Sequence, residues 1–220
     1  MRRLAITVSI PLFFCGSAGG ASLKQAYDQA PPAFGYQKYI VLETGVVYSG
    51  GLWLGGTFDR ISAQFLGEGE DVRIVGNGAI LDLQGQEICM AYCNNRLDID
   101  DCVILNGNIR FRGFDGGGYS LLPQGSVRHI TFYKPHDYGV RLFGCGSGIL
   151  VRRNIIVDAV DTGPDFMFLT GYASDWLPTG ASCALSLTAG FDVAENWSYH
   201  VDAAVNANPL RHFTMLCDYG

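Results

Sequence analysis

Lysine is scarce, no stretch of the chain concentrates basic charge, and charged residues make up only 16% of its 220 residues. With a formal net charge of −6, it lacks the basic stripe that a nucleic-acid partner requires. An anionic polymer would need a bridging cation such as calcium. No Pro/Ser-rich or charge-rich linker interrupts the chain, so nothing divides it into separately folding parts. Long apolar runs are also missing: the stretch Leu4 to Cys15 is too short to cross a bilayer with comfort, and Pro11 breaks it. Arg2 and Arg3 precede that stretch and small residues, Gly16 to Ala21, follow it, which is the layout of a secretory signal peptide. Residues 1–21 are therefore expected to be a leader. The remainder is expected to be secreted, periplasmic or at the cell surface, without stable membrane insertion. Phe14 stands where a lipoprotein signal needs a small residue before Cys15, so lipidation is not expected.

Of the seven cysteines, Cys15 leaves with the leader. An even set remains: Cys89, Cys93, Cys102, Cys145, Cys183 and Cys217. In an exported protein such a set suits disulfides, with Cys89 and Cys93 the closest pair and Cys102 read as a small core residue. Only one short Cys spacing is present, so a zinc site is not expected. Glycine is abundant, at 29 residues, and β-branched and aromatic residues are frequent. This is a β-rich composition with many turns.

One apolar pattern recurs. It reads Val72-x-Ile74-x-x-Asn77-Gly78-x-Ile80, then Leu97-x-Ile99-x-x-Cys102-Val103-x-Leu105, then Ile149-x-Val151-x-x-Asn154-Ile155-x-Val157, then Phe191-x-Val193-x-x-Asn196-Trp197-x-Tyr199. A shortened copy holds His129-Ile130-x-Phe132. The marker position falls at 77, 102, 129, 154 and 196, in steps of 25, 27, 25 and 42 residues. Each unit reads as two short strands meeting at a corner. A third strand follows in Ile109-x-Phe111, in Val140-x-Leu142, and in either Phe166-x-Phe168 or Leu185-x-Leu187. Repeats of this length with no helix between strands predict an all-β parallel solenoid of about five stacked coils. The alternative is an antiparallel sandwich, with Asn77-Gly78 and Asn106-Gly107 as its hairpin turns. Expected boundaries are an N-terminal cap and first strands over 22–70 and the repeat domain over 71–220. Five coils and no visible closing helix suit a piece of a longer solenoid.

With its corner asparagines Asn77, Asn154 and Asn196, and with Val72 to Gln86 reading like an opening coil, the chain resembles the pectate-lyase-like superfamily of right-handed parallel β-helices over residues 70 to 205. The resemblance implies an internal amide ladder at those asparagines and a capping helix within Ser22 to Ala30. It implies no single activity, because the superfamily includes lyases, hydrolases, esterases, epimerases, tailspikes and adhesins. Asp100-Asp101 supplies one element of the polygalacturonase pattern, but its Gly-His-Gly and Arg-x-Lys are absent, as is the Trp-x-Asp-His of pectate lyases.

The candidate chemistry lies on the exterior. If Leu105, Phe132, Val157 and Tyr199 point inward, then Asn106, Tyr133, Asp158 and His200 form an outward row, with Lys134 and Asp161 nearby. The step of 42 carries 17 residues beyond the usual 25, a loop over 161–182. There Tyr172 and Trp176 suit stacking on sugar rings and Asp165 suits their hydroxyls. Arg110 and Arg141 fall outward on the third strand, where arginine would neutralise a uronate or take a proton. Asp158 and Asp161 would serve as the carboxylate pair of a glycosidase or as ligands for calcium, which takes several oxygens. Lys134, Arg141 or His200 would be the base of a lyase. Asp98 and Asp100 face outward, with Asp101 at the corner. The expected partner is a polysaccharide or oligosaccharide, and no cofactor beyond calcium is implied.

Overall fold

The computed structural model describes residues 20–62, 64–116, 118–135, 139–143, 148–158, 168–171, 192–199 and 213–215. Residues 1–19 of the expected leader, most of the 161–182 loop, and Cys145, Cys183 and Cys217 lie outside them, whereas Ala21 is in a strand. Among the described residues no helix is long and apolar enough to cross a membrane.

Two parallel sheets carry the fold. Among the described residues the larger has ten strands, with Val72–Asp82, Arg96–Leu105, Gln124–Tyr133 and Ile149–Arg152 in consecutive order at its centre. The smaller has six: Leu52–Gly55, Glu87–Ala91, Asn108–Arg112, Val140–Phe143, Phe168–Gly171 and Phe213–Met215, again in chain order. From residue 47 onward the chain visits the two sheets alternately. Every pairing within them is parallel and brings together corresponding residues of successive units. The antiparallel alternative fails here. Asn77-Gly78 sits at an irregularity within the strand Val72–Asp82, and Asn106-Gly107 joins Arg96–Leu105 of the larger sheet to Asn108–Arg112 of the smaller, with Asn77 at φ 51° and Asn106 at φ 52°.

Strand alternation then builds the core. Ile40, Ile74, Ile99, Val127 and Val151 align in one inward column. Tyr48, Leu81, Ile104, Phe132 and Ile156 align in a second. The smaller sheet answers with Leu52, Ile88, Ile109 and Val140, and with Leu54, Met90, Phe111 and Leu142. All of these side chains are buried, so each unit buries its inner face between the sheets and against its neighbours.

The corner corrects two of the expected marker positions. The inward residue just after it is Ala79, Cys102 or Ile130 in the first three units, because these three pair in one column. Asn154 and Asn196 hold the same place, since the residues following them pair with Thr131 and with each other. The markers are thus 79 and 130 rather than 77 and 129. Two residues separate Ile99 from Cys102, but four separate Ile74 from Ala79, and this extra length displaces Asn77.

The amide ladder exists at two of its three expected positions. Asn154 Nδ2 donates to Val127 O at 3.0 Å and to Asn196 Oδ1 at 2.9 Å, and its own Oδ1 accepts from Ile130 N at 2.9 Å. Asn196 Nδ2 donates to Val151 O at 2.9 Å. These bonds satisfy backbone groups that the corner removes from the sheet ladder. Asn77 is exposed and reaches only Leu42 O, at 3.4 Å.

No disulfide joins Cys89 and Cys93, the closest pair in sequence. Both are buried free thiols, and so is Cys102. Cys93 faces inward with its Sγ 3.2 Å from Met90 Sδ, while Cys89 lies between the inward residues Ile88 and Met90 and so faces the other way.

The N-terminal segment closes one end. Ala21–Ser22 pairs with Val47–Ser49. Ser22 then caps the helix Leu23–Gln29 by accepting from Gln25 N, and this helix buries Leu23 completely. Helix and capping residue lie within the segment from Ser22 to Ala30.

Candidate functional site

Three groups of polar and aromatic residues occupy the outside of the sheets. The first lies at the end of the larger sheet's strands. Leu105, Tyr133 and Val157 are aligned in one column, and one residue later come Asn106, Lys134 and Asp158. These three share left-handed backbone, with φ of 52°, 51° and 49°. Lys134 N donates to Val157 O at 2.9 Å, and its ammonium lies 5.3 Å from the centre of the Tyr133 ring.

This register corrects the predicted row. Ile104 and Phe132 form the inward column with Ile156, so Leu105 and Val157 face outward beside Tyr133, and Tyr199 is in register with Val157. Tyr133 and Asp158 therefore belong to adjacent columns, and the partners of Asp158 at the corner are Lys134 and Asn106. The structure does bring Tyr133, Lys134 and Asp158 together at one edge. Asp161, Asp165, Tyr172, Trp176 and His200 lie outside the described residues.

The second group follows the outer face of the smaller sheet, where Trp53, Cys89, Arg110 and Arg141 are aligned on four consecutive strands. Trp53 is 47% exposed and donates its indole N–H to Gly56 O at 3.2 Å. Arg110 forms an ion pair with Glu87. Burial, followed by the charge of Glu87, pushes the Cys89 thiol up to about 11, with Arg110 opposing the rise. The predicted outward placement of Arg110 and Arg141 therefore holds, and an exposed indole extends their line.

The third group centres on Asp98 and Asp100, outward as alternation requires, with Asp101 exposed at the corner at φ 57°. Asp98 is nearly buried because the turn Ala33–Tyr36 folds over it. It accepts from Tyr36 Oη at 2.7 Å and from Ser126 Oγ at 2.5 Å, and lies 3.1 Å from Arg96 Nε. The Arg96 guanidinium also stacks 4.4 Å from the Tyr36 ring centre. Burial, followed by the hydrogen bond to Asp98, raises the Tyr36 phenol above its ordinary value, so the phenol stays a donor. Asp100 accepts from Arg73 at 2.5 Å, with Arg128 at 3.7 Å. Parity locates both carboxylates, but no pattern in the sequence links Tyr36, distant along the chain, to one of them.

Two hairpins lie in the connections from the smaller sheet back to the larger, Thr57–Asp59 with Gln64–Leu66 and Phe114–Gly116 with Tyr119–Leu121. Phe65 joins them, its ring 4.8 to 5.0 Å from those of Phe58, Tyr92, Phe114 and Tyr119. Among the described residues, no group of three His, Cys, Asp or Glu side chains is placed to hold a metal ion.

Comparison with protein-family models, curated proteins and solved structures returns no match. The functional reading therefore rests on this geometry alone.

Proposed function

We propose that this chain is a secreted right-handed parallel β-helix that acts on carbohydrate, as a glycoside hydrolase or polysaccharide lyase. The observation that carries the reading is the line Trp53, Cys89, Arg110, Arg141 across four consecutive strands of the smaller sheet. Parallel pairing places such groups about 4.8 Å apart. An extended, hydroxyl-rich polymer lying along the stack would meet first a flat aromatic face and then guanidinium donors.

In the hydrolase version, Asp158 and Asp161 share the acid and base work, with Tyr133 and the 161–182 loop residues Asp165, Tyr172 and Trp176 binding sugar. In the lyase version, Lys134, Arg141 or His200 takes the proton beside a uronate that Arg110 neutralises, and calcium held by aspartates bridges charge. The non-catalytic reading, a surface module that only binds, is favoured by one observation: the outward carboxylates Asp98 and Asp100 are both tied up in ion pairs.

The test is a screen of the full chain against neutral and acidic polysaccharides, with and without calcium. New reducing ends without ultraviolet absorbance would support the hydrolase, and Asp158→Asn should then lower the rate at least about 100-fold. Absorbance from unsaturated products would support the lyase. Retention on a polysaccharide without turnover would leave the binding module, and neither retention nor turnover would sink the carbohydrate reading.

A further inference from the structure

On the larger sheet beyond the corner, the outward column is Val47, Ile80, Val103, Thr131, Ile155 and Trp197, aligned across six strands. Beside it runs a second outward column of Ser49, Asp82, Leu105, Tyr133 and Val157. A solvated sheet face normally carries polar residues, and here the polar members are Thr131 in the first column and Ser49 and Asp82 at one end of the second, the rest being apolar or aromatic. Val47 is 43% exposed, Ile155 42% and Trp197 68%. Polar residues border the stripe on both sides. One border is the exposed left-handed corner of Asp101, His129, Arg153 and Glu195, where Arg153 Nε lies 2.6 Å from Glu195 Oε2. The other is Asn106, Lys134 and Asp158, with Asn106 Nδ2 donating to Asp82 Oδ1 at 2.9 Å.

We propose that this stripe is a binding track for one extended chain of a neutral polysaccharide, lying across the strands. The proposal rests on the carbohydrate reading above and takes its hydrolase or binding branch. Three properties select the occupant. Six strands about 4.8 Å apart and two outward residues wide make a floor of a few hundred Å², well short of the roughly 800 Å² that each partner of a stable protein interface buries. The track is therefore too narrow to hold a second copy of the chain by itself, and its shape suits a single polymer strand. Second, a pyranose ring carries C–H groups on its faces and hydroxyls at its edges. The apolar floor with Tyr133 and Trp197 meets the faces, and the two polar borders meet the hydroxyls. Third, Asp82 at the end of the second column and Asp101, Asp158 and Glu195 on the borders make four carboxylates against the cations Lys134 and Arg153, so a polyanion is disfavoured.

The test is affinity electrophoresis of the full chain through gels containing hydroxyethylcellulose, xylan, mixed-linkage glucan or polygalacturonate, with sedimentation velocity in parallel. At least one neutral polymer should retard the protein. Thr131→Lys and Tyr133→Ala should each weaken that retardation about tenfold, while Ile61→Ala, at an exposed apolar residue outside both the stripe and the Trp53 line, leaves it unchanged. Both stripe residues point outward, and Tyr133→Ala serves if Thr131→Lys does not fold. Retardation lost in Trp53→Ala and kept in the stripe variants would overturn the track while leaving the carbohydrate reading intact. Retardation by polygalacturonate alone would overturn the neutral-ligand assignment, as would an oligomer that Thr131→Lys dissociates. No retardation by any polymer would remove the carbohydrate reading and the track with it.

Discussion

Asn154 is a residue whose contribution can be isolated. Its amide serves Ile130 N and Val127 O in the buried interior and the half-buried Asn196 Oδ1. Replacing it by alanine leaves several buried polar groups unserved, and each such loss costs on the order of 1–3 kcal/mol. Asn154→Ala should therefore destabilise the protein by about 2–4 kcal/mol in a urea titration. Asn77→Gly, at an exposed corner with φ 51°, should change stability by less than about 0.5 kcal/mol. The buried thiols make a second residue-scale case. Burial raises Cys89, Cys93 and Cys102, so all three stay protonated at pH 8 and iodoacetamide should label them only after denaturation, read by peptide mass mapping. For Cys89 the sign is fixed by linkage. The unfolded thiol ionises near its ordinary value while the folded one holds its proton to about 11, so its contribution is complete below about pH 8.5 and is lost as pH rises toward 11.

At the scale of elements, the two hairpins that share Phe65 should behave as one unit. Phe65→Ala removes four ring contacts and should speed amide exchange through both 57–66 and 114–121, leaving Arg96–Leu105 protected. Much of the element pattern was legible beforehand: the inward pairs Val72 and Ile74, Leu97 and Ile99, and Ile109 and Phe111 read directly as alternation. The failures have a physical source. Val103-Ile104-Leu105 and Ile155-Ile156-Val157 are apolar at three consecutive positions, so alternation cannot say which residue faces in, and the register slipped by one. That ambiguity is the mark of the outward apolar stripe. Cys89 and Cys93 stand only four residues apart in sequence, yet a strand and its following turn aim the two sulfurs differently.

For the whole molecule, the end of the stack formed by Ala21–Ser22, the helix Leu23–Gln29 and Val47–Ser49 is the exposed weak point. Deleting residues 20–30 would uncover the surface buried by Leu23 and leave a bare parallel edge, and bare edges recruit other strands. The truncated protein should scatter light in proportion to its concentration under conditions where the full chain does not, and Lys24→Ala should leave scattering unchanged. The overall alternation between two sheets was foreseeable from the repeat. The folding of Ala33–Tyr36 over Asp98 was not, because no local pattern links residues 62 apart.

The left-handed corner occurs at Asp101, His129, Arg153 and Glu195, with φ between 54° and 57°. An acid, an imidazole, a base and a second acid thus adopt one backbone shape that ordinary side chains disfavour by roughly 1–2 kcal/mol. Since the neighbouring units dictate that shape, the side chain at this point contributes little to specifying it. The corner is a socket: its occupant can be exchanged for a new surface chemistry without renegotiating the fold beneath.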